Sequence, residues 1–133
     1  TKCRKLECVD FTPIKNGKHV NEDYPSYLSK YCASIAAATF YPVIKYFEIP
    51  AAGCLTFMEV TEKNDCKILG FKDGKNAIFI NEDNYKEKIL EFIEDSNNPK
   101  WENIANAGRE YALQELNNDV AVKDIISLAY QLQ

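Results

Sequence analysis

The segment from Tyr41 to Thr56 constrains the fold most, because it places helix-starting and helix-stopping residues between two apolar runs. Residues 32–38 form a short, bounded run of mostly small apolar residues, which is typical of a strand covered on both faces. Pro42 suits the first position of a helix, since its missing N–H group would have no partner there and its φ angle is already helical. Gly53 is placed to end this helix before a second strand over residues 54–58.

The start of this short helix is predicted to bind an anion. Tyr41 and Pro42 lead into it, and the N–H groups of Val43, Ile44 and Lys45 would point out of its first turn. Unpaired N–H groups and the positive end of the helix dipole favour a negative ligand at one spot. Lys45 adds a positive charge that an anionic neighbour would balance. Phosphate is the ligand that this arrangement favours.

An acidic residue follows the predicted anion site closely enough to contact the same ligand. Glu48 lies one turn beyond the predicted anion site, and Pro50 shortens or kinks the helix soon after it. A carboxylate in this position can accept two hydrogen bonds from a ribose diol, as acidic residues do in other nucleotide-binding folds. The pattern therefore favours a nucleotide site. A glutamate on a short helix is also commonly just exposed to solvent, so the residues alone leave both interpretations open.

The pattern Pro-x-x-Lys-x-Phe-Glu-x-x-Ala-x-Gly, which runs from Pro42 to Gly53, resembles the donor-binding segment of group 1 glycosyltransferases. The similarity is greatest to their spore-maturation-type branch, and it continues through residues 70–80 and 104–111. The resemblance implies the GT-B arrangement, in which two Rossmann-like domains face a cleft. It implies that Glu48 holds the ribose of a nucleotide sugar and that the preceding helix start faces the diphosphate.

The resemblance also implies what the chain does. It predicts one domain over residues 1–133, the C-terminal donor-binding part of a larger glycosyltransferase of the hexosyltransferase type. That enzyme would transfer a sugar from a nucleoside diphosphate sugar to an unknown acceptor, without a cofactor and without a metal. Many relatives carry a second glutamate near the sugar where this chain has Phe40, so a direct hold on the sugar by that residue is not expected.

Catalytic residues stay unassigned. A general base for the acceptor is expected from an N-terminal acceptor domain, so this chain alone is expected to be inactive. Two other classes of function remain open: a non-catalytic α/β module that binds a nucleotide or a protein, and another phosphate-handling enzyme. The second would need a nucleophile or an acid pair, and the sequence has no G-x-S-x-G motif, P-loop or Cys/His pairing.

The order of elements predicts an α/β fold. We expect a Rossmann-like partial sheet of about four mostly parallel strands, with helices on both faces and a helical C-terminus. Strands are predicted over residues 5–11, 32–38, 54–58 and 77–80. Helices are predicted over residues 21–30 and 81–93, followed by two more helical stripes that we place in the core: Trp101, Ile104, Ala105, Gly108, Tyr111 and Ala112, then Val120, Val122, Ile125, Ile126, Leu128 and Ala129.

The strand over residues 32–38 would form an edge of this partial sheet. Unpaired edge strands invite association with other chains. We therefore expect the strand over residues 5–11 to pair with this edge, or a second copy of the chain to cover it in a homodimer.

Composition limits the other classes. The chain has 133 residues, 46% of them hydrophobic, which is enough for one domain with a core and excludes a disordered chain. Its net charge of −4 argues against a nucleic-acid surface. It has no apolar run near the ~20 residues that span a bilayer and no signal-peptide pattern, so no transmembrane segment and a cytoplasmic location are expected.

The cysteines and the acidic residues give weak signals for a metal. Cys3, Cys8, Cys32, Cys54 and Cys66 include no C-x-x-C pair, so reduced thiols are expected, with Cys32 and Cys54 buried at strand starts. The single histidine, His19, is expected in a solvated loop, and no zinc site is predicted. The acidic loop with Glu59, Glu62 and Asp65 could hold a metal but more commonly faces water.

Overall fold

A computed structural model describes residues 2–11, 23–38 and 40–131. The predicted loop with His19 lies outside these residues, as does the start of the first predicted helix. In chain order the elements are a 3-10 helix (Lys2–Lys5), α1 (Asp23–Leu28), β1 (Ala33–Ala36), α2 (Lys45–Ala51), β2 (Leu55–Glu59), a second 3-10 helix (Cys66–Leu69), β3 (Ile78–Ile80), α3 (Tyr85–Glu94), α4 (Pro99–Glu115) and α5 (Asn118–Gln131).

The strands form one parallel sheet in the order β1-β2-β3. Ala33 pairs with Leu55, and Phe57 pairs with Ile78, so β2 lies in the centre. Parallel neighbours joined by helical connections are the hallmark of a Rossmann-like unit. The predicted α/β class, with helices around a parallel sheet and a helical C-terminus, is confirmed.

Two apolar clusters cover the two faces of the sheet. On one face, Leu55 and Phe57 of β2 pack with Ile78 of β3, Ile89 of α3 and Trp101 of α4. Successive side chains of a strand point to opposite faces, so the alternate positions of β2 serve the other cluster. Burial of each large apolar side chain contributes about 2 kcal/mol, which makes β2 the strand that both cores stabilise.

The second cluster joins β2 to the helices on the opposite face. Met58 of β2 packs there with Tyr46 and Ile49 of α2 and with Ala112 of α4. Tyr46 and Ile49 are three residues apart, as the spacing of one helix face requires. This face holds α2 in a fixed position relative to the strand ends.

Helix α4 contributes to both clusters, so it passes close to the residues that lead into β2 and β3. A Cβ atom added to Gly108 would lie 2.5 Å from the Asn76 carbonyl oxygen and 3.7 Å from the Pro50 Cβ atom. Only glycine allows this approach of a helix to the backbone. The helical stripe that includes Gly108 is therefore a packing stripe, as expected.

The end of α2 follows the predicted glycine stop. Gly53 has a φ angle of 85°, in the left-handed region that glycine adopts without strain. Its N–H group donates to the Pro50 carbonyl at 2.8 Å, and the Cys54 N–H group donates to the Ile49 carbonyl at 3.3 Å. These two bonds form a Schellman motif and turn the chain directly into β2.

The strand predicted over residues 5–11 is wrong. Lys2–Lys5 is a 3-10 helix, and residues 6–11 contain no strand. The Leu6 N–H group donates to the Cys3 carbonyl, and the Cys3 and Leu6 side chains pack in the same cluster as Ile35 of β1. The alternating pattern thus reflects side chains folded onto the sheet face rather than a strand. Among the described residues no strand pairs with the outer edge of β1, and the homodimer stays a prediction.

Two burial predictions are also wrong. Helix α5 is present, but its apolar stripe is exposed: Ile125 is 66% exposed and Leu128 is 58% exposed. A helical period reports that side chains share a face, not that another element covers it. Cys32 is exposed because it precedes the edge strand β1, whereas Cys54 is buried at the start of central β2.

Candidate functional site

The carboxyl ends of parallel strands meet at one edge of the sheet, where ligands of open α/β folds bind. Residues 40–48 follow β1 at this edge and lead into α2. They contain every residue that the sequence singles out for substrate binding. The fold therefore places the predicted segment at the edge where a ligand is expected.

The first turn of α2 begins later than predicted. The helix starts at Lys45 rather than at Pro42, and Ile44 is its N-cap residue. Proline fixes its own φ angle but cannot impose the helical turn on the residues that follow. The Tyr46 N–H group donates to the Val43 carbonyl at 2.9 Å, which places the first hydrogen-bonded turn after the proline.

Three backbone N–H groups lie at the start of α2 and just before it. The N–H groups of Val43, Ile44 and Lys45 form no hydrogen bond with the described residues. Such donors normally bind water, a side chain or a ligand. The Lys45 side chain is exposed beside them.

Large side chains next to these donors are exposed as well. Phe40, Tyr41 and Ile44 are 68%, 67% and 68% exposed. We call the surface made by Phe40, Tyr41, Ile44 and Lys45 the corner surface. Neighbouring exposed apolar side chains are typical of a surface that binds another molecule. The corner surface thus combines apolar area with a positive charge.

Glu48 lies in the first turn of α2 and is half-buried. Its side chain forms no hydrogen bond with the described residues, so both carboxylate oxygens can accept one from a ligand. The Tyr24 side chain of α1 lies within electrostatic range: burial first, and then the Glu48 carboxylate, raise the pKa of the Tyr24 phenol. Glu48 therefore sits on the side of α2 that faces α1.

A buried asparagine, which no sequence pattern had singled out, lies between the strand ends. Asn64 is 1% exposed. Its Nδ2 atom donates to the carbonyl oxygens of Ala38 and Glu59, each at 3.0 Å, and its Oδ1 atom accepts from the Thr61 N–H group at 2.9 Å. The Tyr46 hydroxyl donates to the same Glu59 carbonyl at 2.9 Å. One carboxamide thus links the ends of β1 and β2 with the first turn of α2.

A local signal could have identified this asparagine. The Asn64 N–H group donates to the Thr61 hydroxyl oxygen at 3.2 Å while Asn64 accepts from the Thr61 N–H group. This reciprocal pair, three residues apart, is the geometry of a capping box. The neighbouring Glu62 and Asp65 are exposed, as expected for the acidic loop, so the polar residue of this loop that turns inward is the uncharged one.

The groups around Asn64 are uncharged near neutral pH. Burial, and hydrogen bonding to Cys66, raise the pKa of the Tyr46 phenol above its ordinary value. Burial also raises the pKa of the Cys66 thiol. Both groups therefore stay protonated near neutral pH, so neither carries a charge that would act as a base or a nucleophile. We interpret the buried cluster of Asn64, Tyr46 and Cys66 as a structural support, because its side chains are buried and hydrogen-bonded to the backbone and to one another.

The corner surface is open rather than enclosed. A shallow cavity of about 410 Å³ lies elsewhere, beside Lys75 and Trp101, and a second of about 280 Å³ lies between Phe47 and the start of α5. Neither is lined by a predicted substrate-binding residue. Within the described ranges, no group of three His, Cys, Asp or Glu residues could hold a metal ion, and no helix is long and apolar enough to cross a membrane.

Comparison with known proteins identifies the family. A family model described as glycosyl transferase-like matches residues 7–127, which is most of the chain. The chain belongs to the glycosyl transferase-like family. The matched residues include the corner surface, all of the sheet and Asn64. Membership of this family supports a role in glycosyl transfer in general. No curated protein and no solved structure matched the chain.

Proposed function

We propose that this chain is the donor-binding part of a glycosyltransferase and that a nucleoside diphosphate sugar binds at the corner surface. One observation carries the proposal: in a glycosyl transferase-like chain, the segment after β1 leaves three N–H groups unpaired beside Lys45 at the carboxyl edge of the sheet, as far as the described residues extend. The exposed side chains of Tyr41 and Ile44 beside these donors support it.

The diphosphate is the group that the donors fit. The N–H groups of Val43, Ile44 and Lys45 would bind phosphate oxygens, and the Lys45 ammonium group would balance their charge. Pro42 holds the backbone before these donors at a fixed φ angle. Tyr41 offers an aromatic face on which a planar or ring-shaped part of the donor can pack.

Glu48 would bind the nucleoside. Its carboxylate has no hydrogen bond within the described part of the chain, so it can accept two from the ribose diol. Its position one turn after the unpaired donors suits a ribose that lies next to the diphosphate. We assign Glu48 to the nucleotide and not to the chemical step.

The open corner surface supports the GT-B arrangement. A donor bound there would keep one side exposed, where a second domain would close over it, bring the acceptor and supply its general base. The Lys45 charge and the backbone donors would serve the diphosphate without a metal ion. This chain alone would then bind the donor without transferring its sugar.

Calorimetric titration of the chain with UDP, GDP and ADP tests the proposal. We expect at least one of them to bind, and Glu48→Gln to weaken that binding about tenfold, because a hydrogen bond to a charged group is worth about 1.5 kcal/mol or more. Glu110→Gln, at an exposed position of α4, is the matched control. If none of the three binds, the proposal fails and a non-catalytic module is favoured. Equal affinities for the two variants would remove the role of Glu48.

A further inference from the structure

We infer that Asn64 is a positioning residue for the donor site: its buried carboxamide fixes Ala38 and Tyr46, which lie on either side of the corner surface in the sequence, in the arrangement that lets this surface bind the diphosphate. The inference rests on the proposed function and deepens it. Asn64 is 1% exposed, so it acts through the backbone that it holds and not by contact with a ligand.

The hydrogen bonds of Asn64 extend the link between β1 and β2 beyond their last ladder pair, Ala36 with Met58. Past this pair no backbone hydrogen bond joins the two strands within the described part of the chain. The carbonyls of Ala38 and Glu59 both accept from Asn64 Nδ2 at 3.0 Å. The side chain therefore fixes the distance between the two strand ends at the edge that carries the site.

The same carboxamide reaches the far end of the segment. Asn64 Nδ2 lies 3.4 Å from the Tyr46 hydroxyl oxygen, and that hydroxyl donates to the Glu59 carbonyl at 2.9 Å. Tyr46 directly follows Lys45, and Ala38 lies two residues before Phe40. The corner surface is thus held at both ends by one side chain, and all of its exposed residues lie between these two anchors.

The role explains why a polar side chain is buried here. A buried carboxamide is favourable only when its donors and acceptors are satisfied. Asn64 Oδ1 accepts from the Thr61 N–H group at 2.9 Å and from the Cys66 N–H group at 3.4 Å, while Nδ2 serves the strand ends. An apolar residue of similar size would fill the space but leave the strand ends unlinked. The segment could then shift, and a misplacement of about 1 Å in a site can cost up to about 100-fold in rate.

Asn64→Asp tests the donor atom of the carboxamide separately from its acceptor atom. It keeps the acceptor for the Thr61 N–H group but replaces Nδ2 with an oxygen that faces the Ala38 and Glu59 carbonyls. We expect nucleoside diphosphate affinity to fall at least about tenfold at pH 8. Burial raises the pKa of a carboxyl group, so the carboxyl group introduced at position 64 should take up a proton as the pH falls to about 5 and regain one donor. The ratio of variant to wild-type affinity should then recover.

The surroundings of the new carboxyl group do not reverse this sign. Tyr46 of α2 and Cys66 of the second 3-10 helix contact it, and their raised pKa values keep them neutral over this range. The Glu59 carboxylate acts electrostatically on Tyr46 and Cys66, and the Asp65 carboxylate acts on Cys66. Their negative charge disfavours a second charge at position 64 and strengthens the expected uptake of a proton.

Asn117→Asp is the matched control. Asn117 Nδ2 donates to the Leu113 carbonyl at 2.7 Å and its Oδ1 atom accepts from the Val120 N–H group at 2.9 Å, so it has the same two functions at the junction of α4 and α5. We expect this variant to bind the nucleotide like the wild type at both pH values. Circular dichroism checks that each variant is folded at the temperature of the titration.

Each outcome has a separate meaning. If the wild-type chain binds none of UDP, GDP and ADP, the proposed function fails. If it binds one of them and Asn64→Asp binds equally well at pH 8, or loses affinity without recovery at low pH, the positioning role is overturned. If Asn64→Asp does not fold, Tyr46→Phe decides, since it removes one anchor and keeps the apolar ring. We expect it to weaken binding about threefold, and unchanged affinity would overturn the inference.

Discussion

The amino ends and the carboxyl ends of the three strands form two opposite edges of the sheet, and these two edges differ in how tightly other residues cover them. At the amino edge, α4 packs so tightly that a Cβ atom on Gly108 would lie 2.5 Å from the Asn76 carbonyl oxygen. At the carboxyl edge, Phe40, Tyr41 and Ile44 are largely exposed, and Asn64 holds the backbone beneath them. The contrast indicates that the amino edge stabilises the fold and the carboxyl edge is available to a ligand, a division seen in other parallel α/β folds.

This division leads to a general expectation for substitutions at the two edges. Substitutions at the amino edge should change the free energy of unfolding and leave nucleotide affinity unchanged in the folded chain. Substitutions on the corner surface should change nucleotide affinity and leave the free energy of unfolding unchanged. The buried cluster around Asn64 is the place where both quantities should change together, because it supports the site and belongs to the core.

Gly108→Ala should have the largest effect on stability. Helix propensity alone favours alanine by about 1 kcal/mol, but the contact with the Asn76 carbonyl oxygen forces α4 away from the sheet, and overpacking costs about 1–3 kcal/mol. We expect a net loss of about 2 kcal/mol in the free energy of unfolding, measured by urea denaturation. Asn106→Ala, at an exposed position of the same helix, should not destabilise the chain. A stabilising Gly108→Ala substitution would contradict the close packing of the amino edge.

Tyr46→Phe should rank next. It leaves the Glu59 carbonyl with one of its two side-chain hydrogen bonds and removes the contact to Asn64. We expect a loss of about 1.5 kcal/mol in the free energy of unfolding, because a lost buried hydrogen bond costs about 1–3 kcal/mol. Tyr85→Phe in α3 is the control, since no hydrogen bond of its hydroxyl is seen in the described residues. Equal stability of the two variants would show that the hydroxyl of Tyr46 is not a structural link.

Asn98→Ala should cost less and should leave the corner surface unchanged. Asn98 caps α4, and its side chain accepts from the Lys100 N–H group at 3.0 Å. Loss of such a cap costs about 1 kcal/mol. Thermal unfolding should show the loss, while titration at a temperature below the transition should give wild-type nucleotide affinity. Weakened affinity in the folded variant would contradict the expectation that stability and nucleotide binding depend on different edges of the sheet.

The smallest effect should come from a surface ion pair. Lys100 Nζ lies 2.8 Å from Glu91 Oε1, both side chains are partly exposed, and this hydrogen bond lowers the pKa of the Glu91 carboxyl. Because folding lowers the pKa of Glu91, the stabilisation by this ion pair is fully present above the pKa that Glu91 has in the unfolded chain. It is lost as the pH falls through the pKa that Glu91 has in the folded chain. Solvent limits it to about 0.5 kcal/mol. Glu91→Gln should therefore be slightly less stable than the wild type at pH 7 and equally stable near pH 2, as urea denaturation can measure. A difference that grows at low pH would contradict the assignment.

The sequence predicted the elements whose patterns depend on local geometry. The apolar runs over residues 32–38, 54–58 and 77–80 became β1, β2 and β3, because a strand buried on both faces requires continuous apolar residues. Gly53 ends α2 in the left-handed conformation that its position required. These signals act within a few residues and need no knowledge of the rest of the chain.

The sequence could not predict features that depend on what packs against a segment. Residues 5–11 alternate like a strand, yet Leu6 reaches the sheet from a turn after a 3-10 helix. The α5 stripe has helical spacing, yet Ile125 is exposed. The local pair with Thr61 could have marked Asn64, but only the convergence of the strand ends gives its Nδ2 atom the Ala38 and Glu59 carbonyls as partners. Residues 41–45 and Glu48 were predicted from the sequence as the binding segment, and their roles stay predictions.

The most direct test locates the bound nucleotide on the chain. Amide nitrogen–proton spectra of the ¹⁵N-labelled chain should be recorded during titration with whichever of UDP, GDP and ADP binds most tightly. We predict that the largest shifts occur at Val43, Ile44 and Lys45, with smaller ones at Glu48, and that Gly108 at the amino edge does not move. Shifts centred on the amino edge, or spread over α5 with none in residues 43–45, would contradict a donor site at the corner surface.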